Sequence, residues 1–393
     1  MQRPAARARW LPATAPSVAV IACLVGLLHG GYVLATGVTM SPDSFVYAHW
    51  SARLVDTGFD YPLLVAEANT DFPSILYALF ATLLAALRII LGSEWPAGLV
   101  AINMIAHVVL ATLIVRLAYR LTNSAAAGWA ALVLVLLCYD LFRWVPFVLS
   151  DATFALMAFA IFSLAADRIL GSGRGWSSVL VLATGAVFYR PTGMVLLPDL
   201  AWAAYLSRTR KLFPPRRLLP VALAGVGTAG LLFAWLMQDP ARWPFQAASS
   251  VIDVVARGYA AGEVVSGRFG TYHSQPSSLS DFMLISGDRL THFFAVGAGE
   301  FSRTHWIVSA AFFIPCYSLA AIFLIALWRE RTHFDASVRK VFLAAIGAVV
   351  AYAVFHGLVQ VDFDWRYRNP ILPHLILLAA AGVAVVEKRV VAQ

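Results

Sequence analysis

Pro73-Ser74-Ile75-Leu76-Tyr77-Ala78-Leu79-Phe80-Ala81-Thr82-Leu83-Leu84-Ala85-Ala86-Leu87-Arg88-Ile89-Ile90-Leu91 is a nearly unbroken apolar run, and its placement decides the fold. About 20 apolar residues suffice to cross a bilayer as a helix, so the stretch has the length of a span. Counting it as one would invert every later segment and put the basic block Arg208 to Arg217 on the outer side, against the preference of Lys and Arg for the cytoplasmic side. The run is therefore expected to lie as a helix along the outer membrane boundary. Both termini, the loops at 120–124 and 168–175, and the basic blocks at 207–217 and 328–340 are then cytoplasmic. The outer side receives residues 39–95, the turn near 140–150, the long loop 238–305 and the turn 360–370.

Composition sets the class in which that choice matters. Of 393 residues, 60% are hydrophobic and 13% charged, and the mean hydropathy is +0.75, far outside the range of a water-soluble domain. The expected fold is all-α, a single domain over 1–393 built as a polytopic transmembrane helix bundle. It has about ten spans plus two outer-face juxtamembrane helices. The spans fall near 17–38, 96–119, 125–147, 150–167, 177–189, 192–206, 218–237, 306–327, 341–359 and 371–386. A net charge of +8 reports topology here and implies no nucleic acid as partner. The N-terminal basic stretch and the apolar run from about Val18 to Val38 read as an uncleaved first span, since the run is long and lacks a small-x-small exit. Cys23, Cys138 and Cys316 lie far apart in apolar runs and imply neither a disulfide framework nor a CxxC metal site. No Walker motif, G-x-S-x-G or H-E-x-x-H is present and no G-x-G-x-x-G opens a helix after a strand, so any chemistry belongs to carboxylates, arginines and tyrosines at the outer boundary.

Those residues gather in four places. Ser41-Pro42-Asp43 opens a short amphipathic helix closed by Gly58, with Asp43 in the first turn and Tyr47 one turn on, on the same face. Asp43 serves equally as a plain cap; spacing does not separate the two. Asp71, just before Phe72-Pro73, is read first as a cap of the second boundary helix. Ser150-Asp151 stands at the outer mouth of the fourth span, where a carboxylate needs a partner or a task; Arg143 offers a local partner. Tyr189-Arg190-Pro191-Thr192-Gly193 turns between two pieces too short for full spans, and a cation in a broken-helix hairpin marks a binding site. Finally, Asp362-Phe363-Asp364-Trp365-Arg366-Tyr367-Arg368-Asn369-Pro370 opens the last span. Arg366, Arg368 and Tyr367 suit a phosphate, though an interfacial aromatic belt with snorkelling arginines has the same composition. The D-x-D there is a weak divalent-metal signal, so no cofactor is expected and no metal ligands are assigned.

Taken in order, these features resemble the GT-C superfamily of integral-membrane glycosyltransferases, in the branch of aminoarabinose transferases, protein O-mannosyltransferases and relatives acting on lipid A or other envelope glycans. The resemblance rests on the D-x-x-x-Y helix (Asp43, Tyr47), the proline-led boundary helix from Phe72-Pro73 to Gly92, Ser150-Asp151, Arg190 to Gly193, and the terminal turn from Arg366 to Pro373. It departs in having Phe72-Pro73-Ser74 where many relatives have two prolines, Asp rather than Glu at 151, and no large outer domain after the last span. The resemblance implies transfer of a sugar from a polyprenyl-phosphate donor to a lipid, glycan or protein hydroxyl, with inversion, at the periplasmic face of a bacterial inner membrane. By position Asp43 is then the base, Asp151 a second catalytic acid holding the acceptor or a basic partner, and Arg190, Arg366, Tyr367 and Arg368 the donor-phosphate groups, with Tyr47 and Asp71 in support. Loop 238–305 would select the acceptor. A competing reading is a transporter or flippase for a lipid-linked glycan, which needs charges continuing through the midplane; Ala125 to Leu137 and Leu219 to Trp235 carry none. A third is a non-catalytic envelope scaffold using loop 238–305 as a binding surface.

Overall fold

The computed structural model describes residues 14–63, 74–172, 176–209, 279–297, 301–329, 333–359 and 365–392. No strand occurs among them, only an isolated parallel bridge between Thr39 and Phe147. Helix α1 (Val18–Thr36) starts at Ser17, whose hydroxyl accepts from the Val20 amide at 3.2 Å, and ends at Gly37, where φ is +70°. Helix α2 (Pro42–Asp56) has a reciprocal Ser41–Ser44 capping box and Pro42 in its first turn. Its buried residues Ser44, Tyr47, Ser51 and Leu54 recur every three or four positions, which gives one inward stripe.

The run that decides topology forms a 3-10 turn (Ser74–Tyr77) and helix α3 (Ala78–Leu91). Its 14 residues reach about 21 Å at 1.5 Å per residue, short of a hydrocarbon core of about 30 Å. Instead it packs along α2: Arg88 donates to Ser51 Oγ at 2.7 Å and to the Ala48 carbonyl at 3.0 Å, and Leu54 meets Ala81 and Ala85. Gly92, with φ +56°, ends α3 and lets the chain enter α4 (Trp95–Thr122).

The remaining described helices are α5 (Ala125–Leu137), α6 (Asp151–Ile169), α7 (Trp176–Tyr189), α8 (Leu196–Arg208), α9 (Leu279–Phe293), α10 (Arg303–Trp328), α11 (Ala336–Val359) and α12 (Leu372–Ala392). Among the described residues six runs are long and apolar enough to cross a membrane: α1, α3 with α4, α6, α10, α11, and α12 with its preceding turn. Leu27, Leu34, Ile90 and Val181 stand exposed on them and on α7, as lipid-facing side chains do. The expected count of about ten spans is thus reached only in part. The span expected over 125–147 ends at Leu137, because Cys138 leaves helical geometry and a single turn (Tyr139–Phe142) carries Asp140 inward. The stretch 192–206 opens as a 3-10 turn (Pro191–Val195) before α8. The expected span 218–237 lies outside the described residues, as does most of loop 238–305; the described end of that loop carries α9.

Helix α12 is the mast of the bundle. Every residue from Ile371 to Gly382 is buried, and the helix packs on α10, α5, α4 and α11. A Cβ at Gly382 would run into the Leu319 backbone carbonyl, so α10 and α12 approach as closely as a small residue permits. Gly382→Ala is expected to part them and cost about 1–3 kcal/mol, read as a lower unfolding midpoint in detergent. An unchanged midpoint would mean that the crossing is looser than described.

Candidate functional site

The site begins with two backbone segments held side by side. After α1, the Thr39 amide donates to the Pro146 carbonyl at 2.9 Å and the Val148 amide to the Thr39 carbonyl at 3.0 Å. Asn103, fully buried in α4, donates through Nδ2 to the carbonyls of Val145 and Phe147 at 3.3 and 3.1 Å. One amide thus fixes the strand-like segment that brings the start of α2, with Asp43, beside the start of α6, with Asp151. Asn103→Leu would leave a buried carbonyl without its donor, a loss of about 1–3 kcal/mol. Activity per folded molecule is also expected to fall, as the two acids lose their shared anchor; equal activity per folded molecule would assign Asn103 to stability alone.

Onto this frame come two arginines from distant segments. Arg366, in the 3-10 turn before α12 (Trp365–Ile371), pairs with Asp43 at 2.5 Å. Arg190 pairs with Asp151 at 2.6 Å and reaches Ser150 Oγ at 3.4 Å. The hairpin that carries Arg190 is tight: a Cβ at Gly193 would strike the backbone of Ala186 in the last turn of α7, so glycine is what lets the turn fold back on the helix. Burial disfavours the Arg190 charge and Arg366 adds to that, but Asp151, Tyr77 and Tyr47 together outweigh both and hold the guanidinium protonated. The two ion pairs therefore belong to one electrostatic cluster.

The pairs differ in access. Asp151 and Arg190 side chains are 3% and 7% exposed, against 38% for Asp43 and 14% for Arg366. Asp43 is the carboxylate that an outside molecule can reach. Tyr47 packs against Tyr77 and Phe80 with ring centroids 5.2 and 5.1 Å away. Burial, then Tyr77, push its phenol well above the ordinary value, with Arg190 pulling the other way; it remains a neutral hydrogen-bonding group. Tyr189, just before Arg190, is tied to Thr153 of α6 by a 2.6 Å hydroxyl contact, which docks the hairpin on the helix that carries Asp151.

The structure thus gathers Asp43, Tyr47, Asp151, Arg190 and Arg366. Arg368 is placed elsewhere, against the expectation that it binds phosphate. Its Nε donates to Asp140 Oδ2 at 2.7 Å, its Nη2 to the same oxygen, and its Nη1 to the Ala295 carbonyl at 2.6 Å. At 1% exposure, sandwiched between Phe313 and Trp365, it has no donor facing a ligand and locks the turn to the Tyr139–Phe142 turn. Tyr367 lies against His356, with centroids 5.0 Å apart, and under Arg366. It backs the arginine. The local partner expected for Asp151 is also corrected: Arg143 instead lies over the rings of Trp144 and Tyr139.

Asp71, Asp362 and Asp364 fall outside the described residues. Among the described residues no three His, Cys, Asp or Glu side chains converge as metal ligands. Two participants escaped the sequence reading, Asp140 and Asn103. Each is a polar residue inside an apolar stretch, which is the signal that singles them out. Comparison of the chain with protein-family models, with characterised proteins and with solved structures finds no match.

Proposed function

We propose that this chain transfers a sugar from a polyprenyl-phosphate donor to a hydroxyl of a lipid, glycan or protein acceptor. The observation that carries the reading is the pairing of an accessible carboxylate, Asp43, and a buried one, Asp151, with two arginines inside one cluster. Sugar transfer from a phosphodiester needs a proton acceptor at the attacking hydroxyl and positive charge at the departing phosphate, within reach of each other and out of bulk water.

The roles follow from access and charge. The acceptor oxygen attacks the anomeric carbon and its proton passes to the Asp43 carboxylate. The bond from that carbon to the phosphate oxygen breaks, and its electron pair stays with the polyprenyl phosphate. The leaving group gains negative charge, which Arg366 and Arg190 stabilise. Donor phosphate oxygens compete with Asp43 for Arg366 and so free the carboxylate for the acceptor. Asp151, buried and paired, acts by holding Arg190 in place and is a positioning residue. With attack and departure on opposite sides of the sugar, the configuration inverts.

In this reading the site faces the periplasm of a bacterial inner membrane, both termini are cytoplasmic, and α2 and α3 lie along the outer boundary. The acceptor belongs to the cell envelope, lipid A or another glycan among them. The test is transfer of radiolabelled sugar from native-membrane polyprenyl-phosphate donors to endogenous acceptors by the reconstituted chain. Label moving to the acceptor is the expected result. Label that stays on the polyprenyl phosphate and crosses the bilayer would instead identify a transporter of the lipid-linked sugar.

A further inference from the structure

Three buried polar side chains from the hairpin, α8 and α11 have atoms with no hydrogen-bond partner among the described residues. They are Thr192 Oγ1 in the hairpin, Asp199 Oδ1 in α8 and Tyr352 Oη in α11, at 9%, 4% and 2% exposure. Unpartnered polar atoms at such burial are rare in a native protein and point to something that satisfies them. The three belong together. Asp199 and Arg190 are the charged groups that act on the Tyr352 hydroxyl. From Thr192 through Val195 and Leu196 to Asp199 the buried positions recur every three or four residues, so both side chains fall on one stripe, and α8 packs on α11. On α11, His356 stands one turn from Tyr352 on the same face and touches Tyr367, the neighbour of Arg366. Through His356, the face of α11 that carries Tyr352 is thus joined to Tyr367 and Arg366. One turn further along α8, Trp202 donates to the Leu343 carbonyl at 3.2 Å and fills the space over Gly347, closing that end with an aromatic wall.

We propose that Thr192, Asp199 and Tyr352 form the subsite that grips the sugar hydroxyls of the donor. The inference rests on the transfer reading above and adds to it the part of the donor that these residues recognise. A carboxylate accepts from neighbouring hydroxyls through charge-assisted bonds, and the Tyr and Thr hydroxyls both donate and accept. A polyhydroxylated ring supplies several donors and acceptors at once, which suits Asp199 in either protonation state, its carboxyl being pushed up to about 7 by burial, whereas the phosphate beside it is attracted by Arg190. The subsite thus orients the donor as well as holding it, with its phosphate toward the arginines and its ring beyond them.

The experiment uses the full chain in nanodiscs and measures the Kd of bare undecaprenyl phosphate and of undecaprenyl phosphate carrying glucose, mannose, galactose or arabinose. The wild-type chain is expected to bind at least one glycosylated form more tightly than the bare lipid. Asp199→Leu, which removes the acceptor while keeping an apolar volume, is expected to raise the Kd of that form roughly tenfold or more and to leave the bare lipid unchanged. Tyr352→Phe should act in the same direction by less, and it keeps the test open should the Asp199 variant not fold. A preserved gap between sugar-bearing and bare lipid in both variants, an equal loss for both ligands, or no added affinity from any sugar in the wild-type chain would overturn the subsite while leaving the phosphate reading intact. Failure of the wild-type chain to bind any of these lipids would overturn the transfer reading, and the subsite with it.

Discussion

Asp43→Asn is expected to lower sugar transfer by about 10²–10⁴-fold, the range of a lost general base, at equal amounts of folded protein. The substitution keeps the size of the side chain and its place in the first turn of α2, where the Ser41–Ser44 box and Pro42 set the helix start. Donor binding should survive, because the arginines remain and Arg366 loses the carboxylate that competes for it. The signature is thus a fall in kcat with an unchanged or lowered KM for donor. Undiminished transfer would remove Asp43 from the chemical step and reduce it to a helix cap. A rise in KM with kcat preserved would assign it to binding.

Arg190→Met carries the second large effect, and it acts on stability as well as on transfer. Removing one member of a buried ion pair leaves the other as an uncompensated charge, at about 3–5 kcal/mol, and Asp151 is the buried partner left behind. The variant should unfold at lower temperature in detergent and show no transfer. Pairing it with Asp151→Leu removes the stranded carboxylate and is expected to restore much of the stability, since apolar replacement of a buried pair is often neutral. Transfer should not return, because in the proposed reaction Arg190 is the charge that meets the departing phosphate. A stable, active double variant would show that the pair serves packing only.

How much of this was legible in the sequence depends on the kind of interaction. Asp43, Asp151, Arg190 and Arg366 were findable because a charge at the edge of an apolar run is conspicuous and must be accounted for. The helix over 78–91 was legible from its apolar run, and it docks on α2 through Arg88. Pairing was not legible. Asp151 has Arg143 close in sequence, yet it meets Arg190, brought in by the fold-back of the hairpin over Gly193. Arg366 and Arg368 look equivalent in the sequence, but in a turn with three residues per revolution side chains two apart point about 120° away from each other. One faces Asp43 and the other Asp140. The premature end of α5 was hidden for a related reason: Asp140 turns inward to a cation more than two hundred residues away, which no local pattern records.

The enclosure of α12 also bears on how the chain comes into being. Its neighbours α4, α5, α10 and α11 all precede it in order of synthesis, so their apolar faces toward it are covered only once it is threaded among them. The turn that delivers Arg366 to Asp43 lies immediately before it. Assembly of the bundle and completion of the site are therefore the same late event. A nascent chain halted just short of this helix would already hold Arg366, but on a turn with no following helix to set it against Asp43.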